Sequence, residues 1–280
     1  MNYRTNYHSH CVFCDGRASM EDFVKFALSA GLKKYGFSSH APLPFHTPWN
    51  MDLENMPYYK AEFRRLEEKY ASRIGLSLGL EIDYIHHIFG AANNQLYALD
   101  DFDYLISSIH YLDPLPQGGF FSVDGNFFDF EQGLKTLYNG SIRTAAERYF
   151  EITREMLNRG GFHIVGHVDK ISHNGSRCAD FDIKEKWYVQ AVSDILQLIK
   201  EKGYLLEINT KSYLDKGFTY PDVQFFPLIK ELQIPVLVTS DCHYPHKVTD
   251  GFEAVYKLLK KAGFEILMEL SENGWKANAF

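Results

Sequence analysis

Short apolar segments recur along the chain, most are followed by an amphipathic helix, and nearly every one ends in His, Asp or Glu. That alternation restricts the fold more than any other feature. Apolar strands separated by helices pair as parallel neighbours, in a closed barrel or a doubly wound sheet. Seven segments read as strands: Tyr3–Ser9, Tyr35–Ser39, Leu76–Ile82, Tyr104–Ile109, His163–Gly166, Tyr204–Ile208 and Pro235–Ser240. Ser19 is placed to cap a first helix, Met20–Ala30, whose Phe23, Phe26, Ala27 and Ala30 share one face, and Gly31 ends it. Further helices are expected over Leu53–Tyr70, Ile142–Arg159, Ile183–Lys202, Asp222–Leu232 and Asp250–Ala262, while Phe264–Leu270 fits strand or helix. The 280 residues suit one barrel domain. Leu112–Ser141 lacks a period and is rich in Gly, Phe and Asp, so an ordered flap beside the site is expected there.

The ends of the strands carry the chemistry. His8 and His10 close the first strand as H-S-H, two residues apart on an extended chain, and so face the same side. Asp15 follows in the next loop; His40, Glu81, His110 and His167 end the second to fifth strands; Asp241 and His243 end the seventh. Barrel enzymes collect their catalytic residues at this end. A lone histidine there is ordinarily structural, but six histidines and three carboxylates so arranged are not an accident of composition. Nine donors exceed the four or five that one zinc takes, and they suit two or three divalent ions sharing a carboxylate, for which Glu81 is best placed. Imidazole with carboxylate favours zinc, iron or manganese over calcium or magnesium.

Charge bounds the partners. Twenty-nine basic against thirty-six acidic residues leave a net charge of −7, which disfavours a nucleic-acid groove, so bound cations would have to supply any attraction for an anionic ligand. The longest apolar runs, such as Ile234–Thr239, are too short to span a bilayer, and the polar opening Asn2–His10 is no export signal. Four cysteines make no disulfide framework, and a cytoplasmic location is expected.

The ordered series Tyr7-His8-Ser9-His10, Phe37-Ser38-Ser39-His40-Ala41-Pro42, Gly79-Leu80-Glu81, Ser108-Ile109-His110, Gly166-His167-Val168-Asp169, Glu207-Ile208-Asn209-Thr210 and Ser240-Asp241-Cys242-His243 resembles the polymerase and histidinol phosphatase (PHP) superfamily, and within it the histidinol-phosphatases. The resemblance runs through nearly the whole chain. It implies an α/β fold, a distorted (β/α)7 TIM-like barrel in a single domain over residues 1–280, with the flap at about 112–141 as the insertion of the phosphatase branch. It also implies a trinuclear metal site held by His8, His10, Asp15, His40, Glu81, His110, His167, Asp241 and His243, with Asp15 matched by local pattern only.

The expected reaction is hydrolysis of L-histidinol phosphate, a small phosphate monoester, to L-histidinol and phosphate, a late step of histidine biosynthesis. Divalent ions lower the pKa of bound water to roughly 7, so a bridging hydroxide is the expected nucleophile. Asp241 or His243 would relay a proton to the leaving alkoxide, and the sequence leaves both open. Arg17, Arg177 and Lys211 lie in loops on the catalytic face as candidate phosphate clamps; His46 and Glu207 are candidate substrate contacts. Cys11 and Cys14 read as loop packing, His163 as structural, and His86, His87, His173 and His246 as surface residues. The alternative is another phosphoesterase of the superfamily, acting on a different small ester or a nucleotide; a proofreading module and a non-catalytic metal-binding protein fit less well.

Overall fold

The computed structural model describes residues 4–280. Strands β1 (Thr5–Asn6), β2 (Lys34–Phe37), β3 (Gly75–Asp83) and β4 (Tyr104–Ser108) pair in parallel, in sequence order. A small antiparallel hairpin, β5 (Tyr111–Pro114) and β6 (Phe120–Ser122), then leaves the sheet. Parallel pairing resumes with β7 (Ile164–Val165), β8 (Leu205–Asn209) and β9 (Val236–Thr239). The two edges of this seven-stranded sheet meet beyond β1 and β9, where Ser9 bridges Cys242 in parallel and the His10 amide donates to the Cys242 carbonyl at 2.9 Å. The Asn6 side chain adds a bond to Ser240 Oγ at 2.7 Å across the same seam. The fold is thus the expected seven-stranded barrel, nearly closed. Five of the strands are shorter than the sequence suggested, β3 is longer at both ends and β8 is shifted by one residue, and the Tyr3 start of the first lies outside the described residues.

Helices α1 (Met20–Ser29), α2 (Met56–Tyr70), α3 (Phe127–Tyr138), α4 (Ile142–Arg159), the single turn α5 (Ser172–Gly175), α6 (Lys186–Lys202), the single turn α7 (Tyr213–Lys216), α8 (Phe226–Glu231) and α9 (Phe252–Lys261) complete the chain. Their ends obey local chemistry. The Ser19 hydroxyl accepts from the Asp22 amide and Ser141 from the Thr144 amide, capping α1 and α4, and Gly160 at φ 74° ends α4 where a side chain would be strained. Phe264–Leu270, which fitted strand or helix, contributes to a strand: β10 (Ile266–Ser271) forms an antiparallel hairpin with β11 (Gly274–Ala279).

That hairpin closes the N-terminal end of the barrel. Trp275, Met268 and Leu270 pack on Tyr7, Tyr104, Ile106, Ile164, Leu205 and Leu237, and the Leu270 amide donates to the Tyr7 hydroxyl. The Tyr104 ring fills the barrel interior. A Cβ on Gly36 would stand 2.3 Å from its hydroxyl and one on Gly79 2.5 Å from the ring, so both strands must carry glycine there. Hydrophobic residues thus plug one end of the barrel and leave the other to polar side chains. Residues 112–141 comprise most of the β5–β6 hairpin and α3, with Phe121 and Phe130 buried. Among the described residues no helix is long and apolar enough to cross a membrane.

Candidate metal centre

Glu81 stands at the middle of the polar end. Its strand continues past its neighbour, so that His40 and Glu81 form a parallel bridge and the Ala41 amide donates to the Glu81 carbonyl at 2.8 Å. Glu81 Oε2 lies 3.2 Å from His8 Nε2, 3.5 Å from His10 Nε2 and 3.0 Å from His40 Nδ1. Oε1 faces the other way, 2.9 Å from His167 Nε2 and 3.7 Å from His110 Nε2. Asp241 Oδ1 reaches His10 Nε2 at 3.2 Å, and Asp15 Oδ1 reaches His243 Nε2 at 3.2 Å. All nine expected ligands are therefore brought together. Their atoms form overlapping groups: His10, Asp15, His40 and His243; His8, His10 and Glu81; Glu81, His110 and His167.

These groups fit divalent ions. His8 Nε2, His10 Nε2, His40 Nδ1 and Asp15 Oδ1 are buried and have no hydrogen-bond partner, a cost of about 1–3 kcal/mol each unless something else satisfies them. His110 Nε2 and His167 Nε2 face each other at 3.2 Å, an arrangement that a shared cation relieves. Three of the far ring nitrogens have the partners that ligating histidines need, while His167 Nδ1 is buried without one. His8 Nδ1 donates to Glu207 Oε1 at 2.5 Å, His110 Nδ1 to Asp83 Oδ1 at 2.6 Å, and His243 Nδ1 to the Asp241 carbonyl at 3.1 Å. Ser108 Oγ donates to Glu81 Oε1 at 2.6 Å, and it has room because position 166 is glycine: a Cβ there would lie 2.3 Å from that hydroxyl.

Electrostatics keep the carboxylates ionised. Burial opposes the charge on Glu81, but His8, His40 and His110 outweigh it and hold the carboxyl well below its ordinary range. Asp241 is likewise buried and likewise held down, by Lys211, His8, His10 and Lys170. Asp241 adopts φ 47°, a left-handed conformation that aspartate tolerates and that costs of order 1 kcal/mol.

Above these groups opens a cavity of about 420 Å³, lined by Asp15, His40, His110, Asp241 and His243 on one side and by Trp49, Ser122, Asp124, Lys170, His173 and Lys211 on the other. Of the five residues expected to touch substrate, only Lys211 lines it, with Nζ 2.9 Å from Asp241 Oδ1. Arg17 is exposed and reaches the site only through its backbone, whose amide donates to the His243 carbonyl. His46 is exposed beside Asp52 in a separate cleft. Arg177 lies over the Phe127 ring, outside the lining. Glu207 is fully buried behind His8, where it also accepts from the His167 amide and Thr239 Oγ1.

Two lining residues escape a reading by strand ends. Lys170, buried, points Nζ at Asp124 Oδ2 (3.6 Å) and Asp241 Oδ2 (3.9 Å); burial disfavours its charge, but these acids keep it protonated. Its place three residues after His167 was the available signal. His173, expected at the surface, lines the cavity instead, because the turn α5 folds it against the Tyr220 hydroxyl, 2.9 Å from Nδ1.

The comparisons with known proteins agree with this geometry. The PHP domain family model matches residues 6–211. The chain is 27% identical over 260 residues to a probable histidinol-phosphatase of Deinococcus radiodurans, covering 91% of this chain and 92% of that one. It is 26% identical over 276 residues to a histidinol-phosphatase of Lactococcus lactis, covering 96% and 94%. Among solved structures it superposes with a TM-score of 0.81 on a putative histidinol phosphatase of Listeria monocytogenes at 25% identity, covering 90% of this chain and 99% of that one. The TM-score is 0.76 with the Lactococcus lactis histidinol phosphate phosphatase, solved with zinc, L-histidinol and phosphate, at 23% identity and 98% coverage of both chains. A family match over residues 6–211, on a barrel whose open end gathers the expected donors around Glu81, means that the chain belongs to the PHP domain family.

Proposed function

We propose that the protein is a metal-dependent phosphomonoesterase that hydrolyses L-histidinol phosphate to L-histidinol and phosphate. The observation that carries this reading is the Glu81 carboxylate, reached by three imidazoles on one oxygen and two on the other, among ligands that line a cavity with Lys170, Lys211 and Lys216. The curated relatives named histidinol-phosphatase supply the substrate.

In this reading His8, His10, Asp15, His40, Glu81, His110, His167, Asp241 and His243 would hold two or three ions of zinc, manganese or iron, and Glu81 turns one oxygen to each side of the group. When bound, such ions acidify water and neutralise phosphoryl oxygens. The chain's own residues do the rest. Lys170 and Lys211 present ammonium groups to the cavity and hold the dianionic phosphoryl group above Glu81. Asp83 and Glu207 fix the His110 and His8 rings from behind. Asp241 or His243, both on the cavity lining, relays a proton to the alkoxide that leaves as the P–O bond breaks. Water supplies the oxygen that phosphate gains and the proton that histidinol keeps.

The test is phosphate release from L-histidinol phosphate by the purified protein, against a generic aryl phosphate, before and after chelation and after readdition of zinc or manganese. Fast, chelator-sensitive release that favours histidinol phosphate is expected. Equal, slow release from both esters would overturn the substrate assignment, and release indifferent to chelation would overturn the metal dependence.

A further inference from the structure

A second set of donor atoms lies outside the cavity, on the segment that leaves β3. His86 and His87 follow one another in sequence, yet their ring centroids are only 3.7 Å apart. Neighbours on an extended chain point to opposite sides; His87 adopts φ 59°, which breaks that alternation and brings both rings to one side. Both then face Glu155 of α4. His86 Nδ1 lies 2.5 Å from Glu155 Oε2, and His87 Nδ1 lies 3.6 Å from Oε1. One ligand atom from each of the three residues falls within 4.8 Å of the others. None of the three lines the catalytic cavity.

We propose that His86, His87 and Glu155 form a second, surface site for a single zinc ion, which ties the segment after β3 to α4. Two imidazoles and a carboxylate with water in the fourth position are a donor set that zinc accepts. Bonds of about 2.0–2.2 Å place neighbouring donors about 3.3–3.5 Å apart around a tetrahedral ion. His87 Nδ1 lies 3.6 Å from the other carboxylate oxygen, Oε1, so this ring, two-thirds exposed, turns toward Oε2 as the ion binds. The His86–Glu155 pair is in direct hydrogen-bond contact and opens by roughly 1 Å on binding, which a ring one-quarter exposed can do by rotating. His87 is two-thirds exposed, so water has access to the remaining position.

The surroundings set the strength. Glu155 Oε1 is already occupied by the Tyr84 hydroxyl at 2.6 Å and by Arg159 at 3.0 Å, which leaves Oε2 for the ion. The guanidinium also offsets part of the carboxylate charge. The site is therefore the weaker of the two and fills after the buried centre.

The experiment is equilibrium dialysis of the metal-loaded protein against micromolar zinc, with bound zinc counted and the thermal midpoint recorded. His87→Asn is the main variant, because asparagine also accepts the left-handed backbone; Glu155→Gln is the second. The parent is expected to take up one zinc more than either variant, with a rise in thermal midpoint that both variants lack. Phosphatase turnover should be the same in parent and His87→Asn, which verifies that the variant is folded. Equal zinc uptake by the parent and a fully active His87→Asn overturns the proposal, as does a parent that takes up none.

Discussion

Glu207 sits directly behind His8, with Oε1 2.5 Å from Nδ1, and neither side chain is exposed to solvent. The carboxylate also accepts from the His167 amide, the Asn209 side chain and the Thr239 hydroxyl, so one buried group sets the tautomer of one histidine and the backbone position of another. Burial raises its pKa, and the His8 ring outweighs that and holds it ionised. The residue that ends the sixth strand is thus a support for the metal centre.

Replacing Glu207 by Gln keeps the shape and removes the charge. Outer partners of ligating histidines are worth about 10–100-fold in metal affinity. Glu207→Gln should therefore lose zinc to a competing chelator at a free concentration about 10–100 times lower in chelator strength than the parent, and recover turnover when excess metal is supplied. Metal content against chelator concentration measures it, and a curve identical to the parent's would show that His8 needs no such support.

Removing the metals should cost stability as well as turnover. His8 Nε2, His10 Nε2, His40 Nδ1 and Asp15 Oδ1 are buried without a hydrogen bond, and any ion that binds only the folded chain stabilises it by mass action. At a free metal concentration of 100 times the dissociation constant, that amounts to about 2.7 kcal/mol per site. A chelated sample should melt several degrees lower, with zinc or manganese restoring both midpoint and activity. An unchanged midpoint would mean that these groups are satisfied in some other way.

The strand ends were legible because side-chain alternation and barrel topology together dictate where His8, His10 and Glu81 point. The same logic does not extend to loops. Arg17 and Arg177 lie on the catalytic face by position, yet each is exposed outside the cavity lining, since loop backbone rather than strand pleat sets their direction. Lys170 and His173 were missed for the same reason: the turn after β7 carries them back over the site. The hairpin that plugs the barrel was ambiguous because Phe264–Leu270 is a short apolar run, and only its pairing with Gly274–Ala279 decides the matter.

Of the cavity lysines, Lys170 is buried, and Lys211 and Lys216 are exposed. Lys170→Met should lower kcat/KM by roughly 100-fold, as loss of one preorganised donor to a developing charge does. Lys211→Ala, whose side chain is 37% exposed, should cost less and mainly raise KM. Because Lys170→Met leaves Asp124 without its nearest ammonium group, a thermal melt must accompany the kinetics. A folded variant with parental kcat/KM would remove Lys170 from the phosphate site.

His173 should make folding sensitive to acid. Burial, then Lys170 and Lys216, push its pKa from 6.5 down to about 3. The folded state thus disfavours the protonated ring, and the unfolded chain takes up the proton first. Its contribution is fully present above pH 6.5 and is lost as pH falls from there toward 3. In metal-loaded protein, His173→Gln should show a shallower fall in denaturation midpoint between those limits than the parent. Parallel curves for the two proteins would contradict the assignment.

The far end of the barrel offers a control for stability without chemistry. Tyr104 donates its single hydroxyl proton toward the Tyr7 carbonyl at 2.6 Å, with the Phe37 carbonyl at 3.0 Å, deep inside the barrel and among Ile106, Ile164 and Trp275. Tyr104→Phe keeps the ring that Gly36 and Gly79 accommodate, yet leaves buried carbonyls without that donor. The expected loss is about 1–3 kcal/mol, read from the shift of a denaturant midpoint at unchanged slope. Turnover below the transition should stay within about twofold of the parent, because the ring touches the hairpin plug and not the ligands, and a loss of about 1.4 kcal/mol in transition-state binding would already be tenfold. A variant as stable as the parent would mean that water reaches those carbonyls, and that the plug is looser than its packing implies.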